Sequence, residues 1–410
     1  FNLNDRAEVL FSNNAYANTV STLRLSETFE PSSYYSKNYL ILLSKLRNNE
    51  TGADRQLPYY LEKNPISKLG STLPFDMGNF YFKNNKYSYA LKWYRNLNDD
   101  QFMNELKDKF NFNKGYSLFH VKRYSAAKPY LEKVKNTRQY ESDAHYYLGH
   151  IAYQMDDYIN AESEFSQLDN KFSSKNDLDY FQVDMNFKLG RFQQAIDLGN
   201  KLLKKSNKLY ESDLSKIVGE SHFNLKNYKE SLPFLVAYKG IKDKWTNEDF
   251  YQLGYAYYSE KKYDSAIDQF NKIINQSNSL SQNAFYHLGD CYLKEEKKIE
   301  ALSAFKKASE MNFNKKIKED ALLQYAKLGF EIGNPFESYT NVLIRFLNNY
   351  PKNKYSEKIK SLLVLSYTNG GDYDSAIKIL KSANPFKDEV TLQKVLYLKA
   401  LELYRNGLYI

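Results

Sequence analysis

Two stretches decide the fold: Phe250-Tyr-Gln-Leu-Gly-Tyr-Ala-Tyr-Tyr258 and, after a short polar break, Tyr263-Asp-Ser-Ala-Ile-Asp-Gln-Phe270. Each reads as an amphipathic helix, and the break between them is too short for anything but a tight turn. Gly254 near the middle of the first helix removes a side chain where the second must approach, Ala266 is expected to supply the other half of that contact, and Tyr263 is expected to plug the open end of the hairpin.

Outward from there the same spacing recurs: a small residue, an aromatic nine residues later, and Ala or Ser three further on. Clear copies are Gly78–Tyr87–Ala90, Gly115–Tyr124–Ala127, Gly149–Tyr158–Ala161 and Gly219–Tyr228–Ser231, with weaker ones at Val183, Gly289, Val364 and Ala400 and one at Ala326 that lacks the aromatic. The starts are 34 to 38 residues apart. A single hairpin cannot bury its apolar stripe, so successive hairpins must stack, and a length of 410 residues measures repeat number rather than domain number.

Period and residues together resemble the tetratricopeptide repeat (TPR), whose signature runs Leu-Gly, Tyr, Ala, Phe. The resemblance implies an all-α fold, a right-handed TPR-type α-solenoid of about eleven to twelve helical hairpins. Composition agrees: 16 Gly and 9 Pro are too few for a β-sandwich or barrel. Residues 1–70 are less regular and are expected to be degenerate hairpins that cap the solenoid, with Pro31, Pro58 and Pro65 interrupting them. The superhelix is expected over 71–410; its last repeat stops at Tyr409-Ile410 without a second helix, so the natural chain is expected to continue. Pro129 and Pro233 fall two residues after the Ala/Ser position in their units, which suggests a shared, tolerated bend.

Catalytic patterns are thin. The chain has no phosphate-binding Gly-x-x-x-x-Gly-Lys, no His-Glu-x-x-His and no Gly-x-Ser-x-Gly. His145 and His150 are five apart and do not share a helical face; His120 and His150 are expected to be polar lining. Cys291, the only cysteine, excludes an intrachain disulfide and reads as a small buried spacer. The acidic pairs 99–100, 156–157 and 295–296 read as solvated turn residues. No enzyme, cofactor or metal is expected, and no apolar run is long enough to cross a membrane.

The excess of tyrosine, 38 residues against 2 Trp, has a better explanation. The TPR resemblance implies a concave groove lined by first helices, at positions six and three before the small residue and one, four and five after it. Across the six units starting at 115 to 289, twelve of those thirty positions are aromatic. The expected partner-binding groove comprises Phe112, Tyr116, Tyr146, Tyr180, Asp184, Glu220, Tyr251, Tyr255, Tyr258, Tyr286 and Asp290. Seven of the thirty are acidic and four basic, although the whole chain carries +9. A groove without a positive stripe argues against nucleic acid, and it lacks the Lys/Asn clamp by which chaperone-binding TPR domains hold a terminal carboxylate.

Runs such as Tyr89-Ala-Leu-Lys-Trp-Tyr94, Asp184-Met-Asn-Phe-Lys-Leu-Gly190 and Glu331-Ile-Gly-Asn-Pro-Phe336 resemble the long exported TPR proteins of Bacteroidota. That resemblance implies a leader removed before Phe1, a periplasmic site with possible outer-membrane association, and a non-catalytic scaffold or adaptor accompanying an outer-membrane complex for secretion or barrel assembly. The partner is then a protein, a subunit or client segment. The alternative is an envelope-binding module that attaches to peptidoglycan or anionic lipid through lysine-rich second helices and turns, such as Lys201–Lys208 and Lys315–Lys318.

Overall fold

The computed structural model describes residues 3–26, 37–64, 72–168, 175–205, 210–381 and 388–408. Pro31, Pro65, Tyr409 and Ile410, which entered the repeat reading, lie outside the described residues, as does the end of the 201–208 lysine run. The described residues form twenty-three α-helices, one 3-10 turn at Asp99–Gln101 and a lone bridge between Ile241 and Lys244. They divide into two compact units, Phe1–Leu189 and Gly190–Ile410.

The first unit stacks five antiparallel hairpins and a final helix. These are α1 (Leu3–Ser12) with α2 (Tyr16–Leu25), α3 (Lys37–Arg47) with α4 (Ala53–Lys63), α5 (Thr72–Lys83) with α6 (Tyr87–Tyr94), α7 (Asn104–His120) with α8 (Tyr124–Glu132), α9 (Glu141–Gln154) with α10 (Tyr158–Ser166), then α11 (Lys175–Lys188). The second opens with α12 (Phe192–Leu203) and continues through α13 (Glu211–Asn224) and α14 (Tyr228–Ala237), α15 (Asn247–Ser259) and α16 (Tyr263–Phe270), α17 (Ser279–Lys294) and α18 (Lys298–Glu310), α19 (Lys315–Ile332) and α20 (Tyr339–Asn349), α21 (Ser356–Asn369) and α22 (Tyr373–Lys381), and α23 (Glu389–Arg405). Within each unit every hairpin packs on the next, so the core runs as a chain of clusters.

The small residue acts as expected, but against a different neighbour. A Cβ at Gly254 would lie 2.9 Å from the Phe270 ring, at Gly149 2.5 Å from Phe165, and at Gly219 2.9 Å from Leu235. The partner is therefore the bulky residue sixteen positions on, which fills the space above the glycine. The Ala or Ser twelve positions on is fully buried in its own right, as at Ala90, Ala127, Ala161, Ser231, Ala266 and Ala301. A bulky apolar side chain buried this way contributes about 1.5–3 kcal/mol, and it requires a hole opposite it.

The turn between helices has its own rule. Seven residues after the small position the chain takes a positive φ: Asn85 (58°), Lys122 (62°), Asp156 (60°), Lys226 (64°), Lys261 (59°) and Glu296 (60°). This residue lets the chain reverse within one polar turn. The prolines share a phase as well: Pro58, Pro129 and Pro233 each occupy the sixth residue of α4, α8 and α14. Pro129 and Ser125, like Pro233 and Lys229, are exposed, so the carbonyl that loses its helical partner faces water.

Candidate functional site

In the first unit, the expected groove residues lie along one continuous line of rings. Phe82 packs edge-on to Tyr116 (centroids 5.3 Å apart), Tyr87 sits 5.5 Å from Tyr116, and Tyr116 sits 4.9 Å from Tyr147. The aromatic after the turn thus bridges its own hairpin to the first helix of the next. Phe112 is buried and stacks on Tyr140 at 4.5 Å, while Tyr116, Tyr146 and Tyr180 are half-buried. Asp184 is buried and accepts a 2.5 Å hydrogen bond from the Tyr153 hydroxyl. Burial and that carboxylate both push the Tyr153 phenol upward.

The second unit repeats the arrangement. Tyr251, Tyr255, Tyr258 and Tyr286 are half-buried, with Tyr255 against Phe223 (5.8 Å), Tyr228 (5.5 Å) and Tyr258 (5.9 Å). The Tyr258 hydroxyl donates to Asp290 at 3.3 Å, the same register as Tyr153 to Asp184. Burial raises the Asp290 carboxyl, and the Tyr258 hydrogen bond works against that rise. Glu220 is half-buried, 3.9 Å from Lys216, which also holds Asp249 at 2.6 Å.

His150 and His287 are ring-packing residues rather than open groove lining. His150 lies 4.4 Å from Tyr146 and 4.7 Å from Phe181, and His287 lies 5.0 Å from Tyr258, 5.1 Å from Tyr255 and 5.8 Å from Phe270. Burial pushes both imidazoles down to about 4, so both are neutral at pH 7. His120 remains exposed and stacks on Tyr87. Cys291 is fully buried and its thiol is pushed up to about 12 by burial, which suits a spacer and not a nucleophile. Among the described residues no group of three or more His, Cys, Asp or Glu could hold a metal ion.

One acidic pair departs from the solvated-turn reading. Asp99 is partly buried and receives Lys133 at 2.9 Å and Asn111 at 3.3 Å. Burial opposes its ionisation, yet these donors hold the carboxyl below its ordinary value. Asp157 instead caps α10 through the Asn160 amide.

A cavity of about 570 Å³ opens in the first unit, between the end of α3, one side of α5 along its length and the start of α7. Arg47 grips Asp76 there in a two-pronged pair, Nε to Oδ1 at 3.1 Å and Nη2 to Oδ2 at 2.8 Å. Burial pushes the Asp76 carboxyl up and the Arg47 guanidinium pulls it back. Lys83, Glu105 and Lys109 also line the cavity, with Phe75, Phe80, Phe102 and Tyr140. Of these only Lys109 occupies one of the thirty groove positions. Arg47 and Lys83 become visible once the register is counted back from Asn49 and Asn85, since each precedes its turn residue by two.

Residues 234–308 match the family model described as anaphase-promoting complex, cyclosome, subunit 3. No curated protein matches the chain. Among solved structures, the chain is similar to YrrB, described as a TPR protein with an unusual peptide-binding site, at 20% identity over 47% of this chain and 96% of that one (TM-score 0.39). It is also similar to the C-terminal part of a TPR repeat-containing protein from Cytophaga hutchinsonii (16% identity, 66% of this chain and 99% of that one, TM-score 0.39) and to a tetratricopeptide repeat protein from Parabacteroides merdae (17%, 71% and 99%, TM-score 0.36). With the hairpins, their period and the paired small and bulky positions in view, the fold is settled. Each unit has a TPR-type α-solenoid fold. TPR arrays are generally non-catalytic surfaces for protein contact. No described helix is long and apolar enough to cross a membrane. Some lysines of the TPR second helices and turns are engaged: Lys297 reaches Asp264 at 3.4 Å and Lys298 reaches Glu331 at 2.5 Å.

Proposed function

We propose that this protein is a non-catalytic scaffold or adaptor that binds a protein segment on the aromatic face of its first helices. The observation that carries the reading is the half-buried state of Tyr251, Tyr255, Tyr258 and Tyr286. Each ring is held by neighbours on one side and leaves part of its surface to solvent, and tyrosine combines a rigid apolar body with a polar tip. Rings fixed in advance lose little entropy on binding, so such a face favours an extended segment or helix.

The working site is the periplasm, where the protein serves as an accessory component of an outer-membrane complex for secretion or barrel assembly. Support for that placement is the resemblance of the sequence runs to exported TPR proteins of Bacteroidota. The test is a photo-crosslinking residue placed at Tyr255 or Tyr286 in the source cell, followed by fractionation and mass identification. A discrete adduct with a protein of the periplasm or outer membrane is expected. A chain recovered from the cytoplasm sinks the placement, and the absence of any adduct at both positions sinks the surface.

A further inference from the structure

The cavity in the first unit has a charge arrangement that the fold itself does not require. Five charged residues line it: Arg47, Lys83 and Lys109 against Asp76 and Glu105. Asp76 accepts both of its hydrogen bonds from Arg47 and also feels the charges of Lys109 and Lys83. Lys83 donates to the Arg47 carbonyl at 3.2 Å, at the C-terminal end of α3, and makes no ion pair among the described residues. Lys109 is partly buried and likewise has no ion-pair partner among the described residues, although Glu105 lies one turn before it on α7. Burial, Lys83 and Arg47 act against the Lys109 charge and outweigh the pull of Asp76, so its ammonium is held below its ordinary value. Three cations therefore line a half-open cavity with two carboxylates, which leaves one positive charge in excess. An excess cation in a partly desolvated cavity favours a bound anion.

Size and surroundings narrow the ligand. A void of about 570 Å³ admits a few side chains. Beside Lys109 stand exposed Leu106 and half-buried Tyr140, an apolar ledge next to the positive centre. We propose that this cavity receives an Asp or Glu side chain of a bound protein segment, with Lys109 and Lys83 as its counter-charges and Leu106 and Tyr140 against the apolar residue beside it. The proposal rests on the scaffold reading above and adds a second surface of opposite chemistry to the tyrosine face of the other unit.

The probe is a library of random twelve-residue peptides displayed at the N-terminus of a phage coat protein, which leaves no free peptide carboxyl end. It is selected on the full chain, and the recovered peptides are then made in amidated form. Enrichment of Asp or Glu next to Leu, Phe or Tyr is expected. Binding should fall at least tenfold in Lys109→Met and, to a lesser degree, in Lys83→Met, and should weaken as salt rises. Thermal stability of Lys109→Met should be unchanged or higher, because an unpaired, partly buried charge has been removed; a drop in stability would assign the lysine a structural role instead. Peptides without acidic enrichment, or acidic peptides indifferent to Lys109→Met, overturn the proposal. Peptides of that kind that are lost on Tyr255→Arg would leave the scaffold reading standing, whereas a failure of every selection would count against both.

Discussion

Gly149 and Gly254 lie inside helices, where alanine is ordinarily favoured by about 1 kcal/mol. Here the sign reverses, because the added methyl meets the Phe165 or Phe270 ring at less than 3 Å. Gly149→Ala is expected to lower stability by about 1–3 kcal/mol, an overpacking cost that outweighs the propensity gain. Denaturant unfolding reads this directly, and a neutral or stabilising result would show that the ring can retreat. The turn residue offers the opposite case. Lys261 holds φ at 59°, a conformation that costs a side-chain-bearing residue about 1–2 kcal/mol. Lys261→Gly should therefore raise stability by about 0.5–1 kcal/mol, net of the extra freedom glycine has when unfolded. Lys261→Val should lower it, since a β-branched residue tolerates positive φ worst.

Helices join through hydroxyls as well as rings. Tyr153 on α9 donates to Asp184 on α11, so Tyr153→Phe leaves a buried carboxylate without that donor. A loss of about 1–3 kcal/mol is expected. Adding Asp184→Asn should recover part of it, since a neutral amide is cheaper to bury, and a double-mutant cycle measures the coupling. The histidines set a pH dependence. His287, packed between α15, α16 and α17, has a folded pKa of about 4 against an ordinary 6.5. The unfolded chain then binds the proton more readily, so the stability associated with neutral His287 is intact above pH 6.5 and is lost as pH falls toward 4, about 3 kcal/mol in all. His150 works in the same direction. Asp290, raised by burial, works in the other, so the informative quantity is the difference between wild type and His287→Phe. The variant should lose less stability between pH 7 and 4; parallel curves would mean that the imidazole is hydrated in the fold.

At the scale of the whole molecule, the repeat was legible because its signal lies in residues few contexts demand together: a small residue, an aromatic nine on, Ala or Ser three further. The partner of the small residue was not, because position sixteen holds Tyr94, Leu131, Phe165, Leu235, Phe270 and Phe305. Bulk is common to them and residue type is not. The turn residue is silent in the sequence for a related reason: at Lys122, Asp156, Lys226, Lys261 and Glu296 no glycine marks the positive φ. The Arg47–Asp76 pair joins residues 29 apart across the least regular part of the sequence, where the spacing of small residue, aromatic and Ala or Ser does not recur. Rings at the expected groove positions were found from sequence alone, but their division into packed and open surface depends on neighbours one repeat away. That dependence on nearest neighbours yields a test for the assembly. In a stacked array, stability is carried by each hairpin and its interfaces with adjacent ones. Gly78→Ala forces the Tyr94 ring from its place between α5 and α6. Amide hydrogen exchange should then speed up most in α5 and α6, less in α3 and α7, and not measurably in α17 to α22. Uniform acceleration through all helices would instead mean that the chain unfolds as one cooperative body.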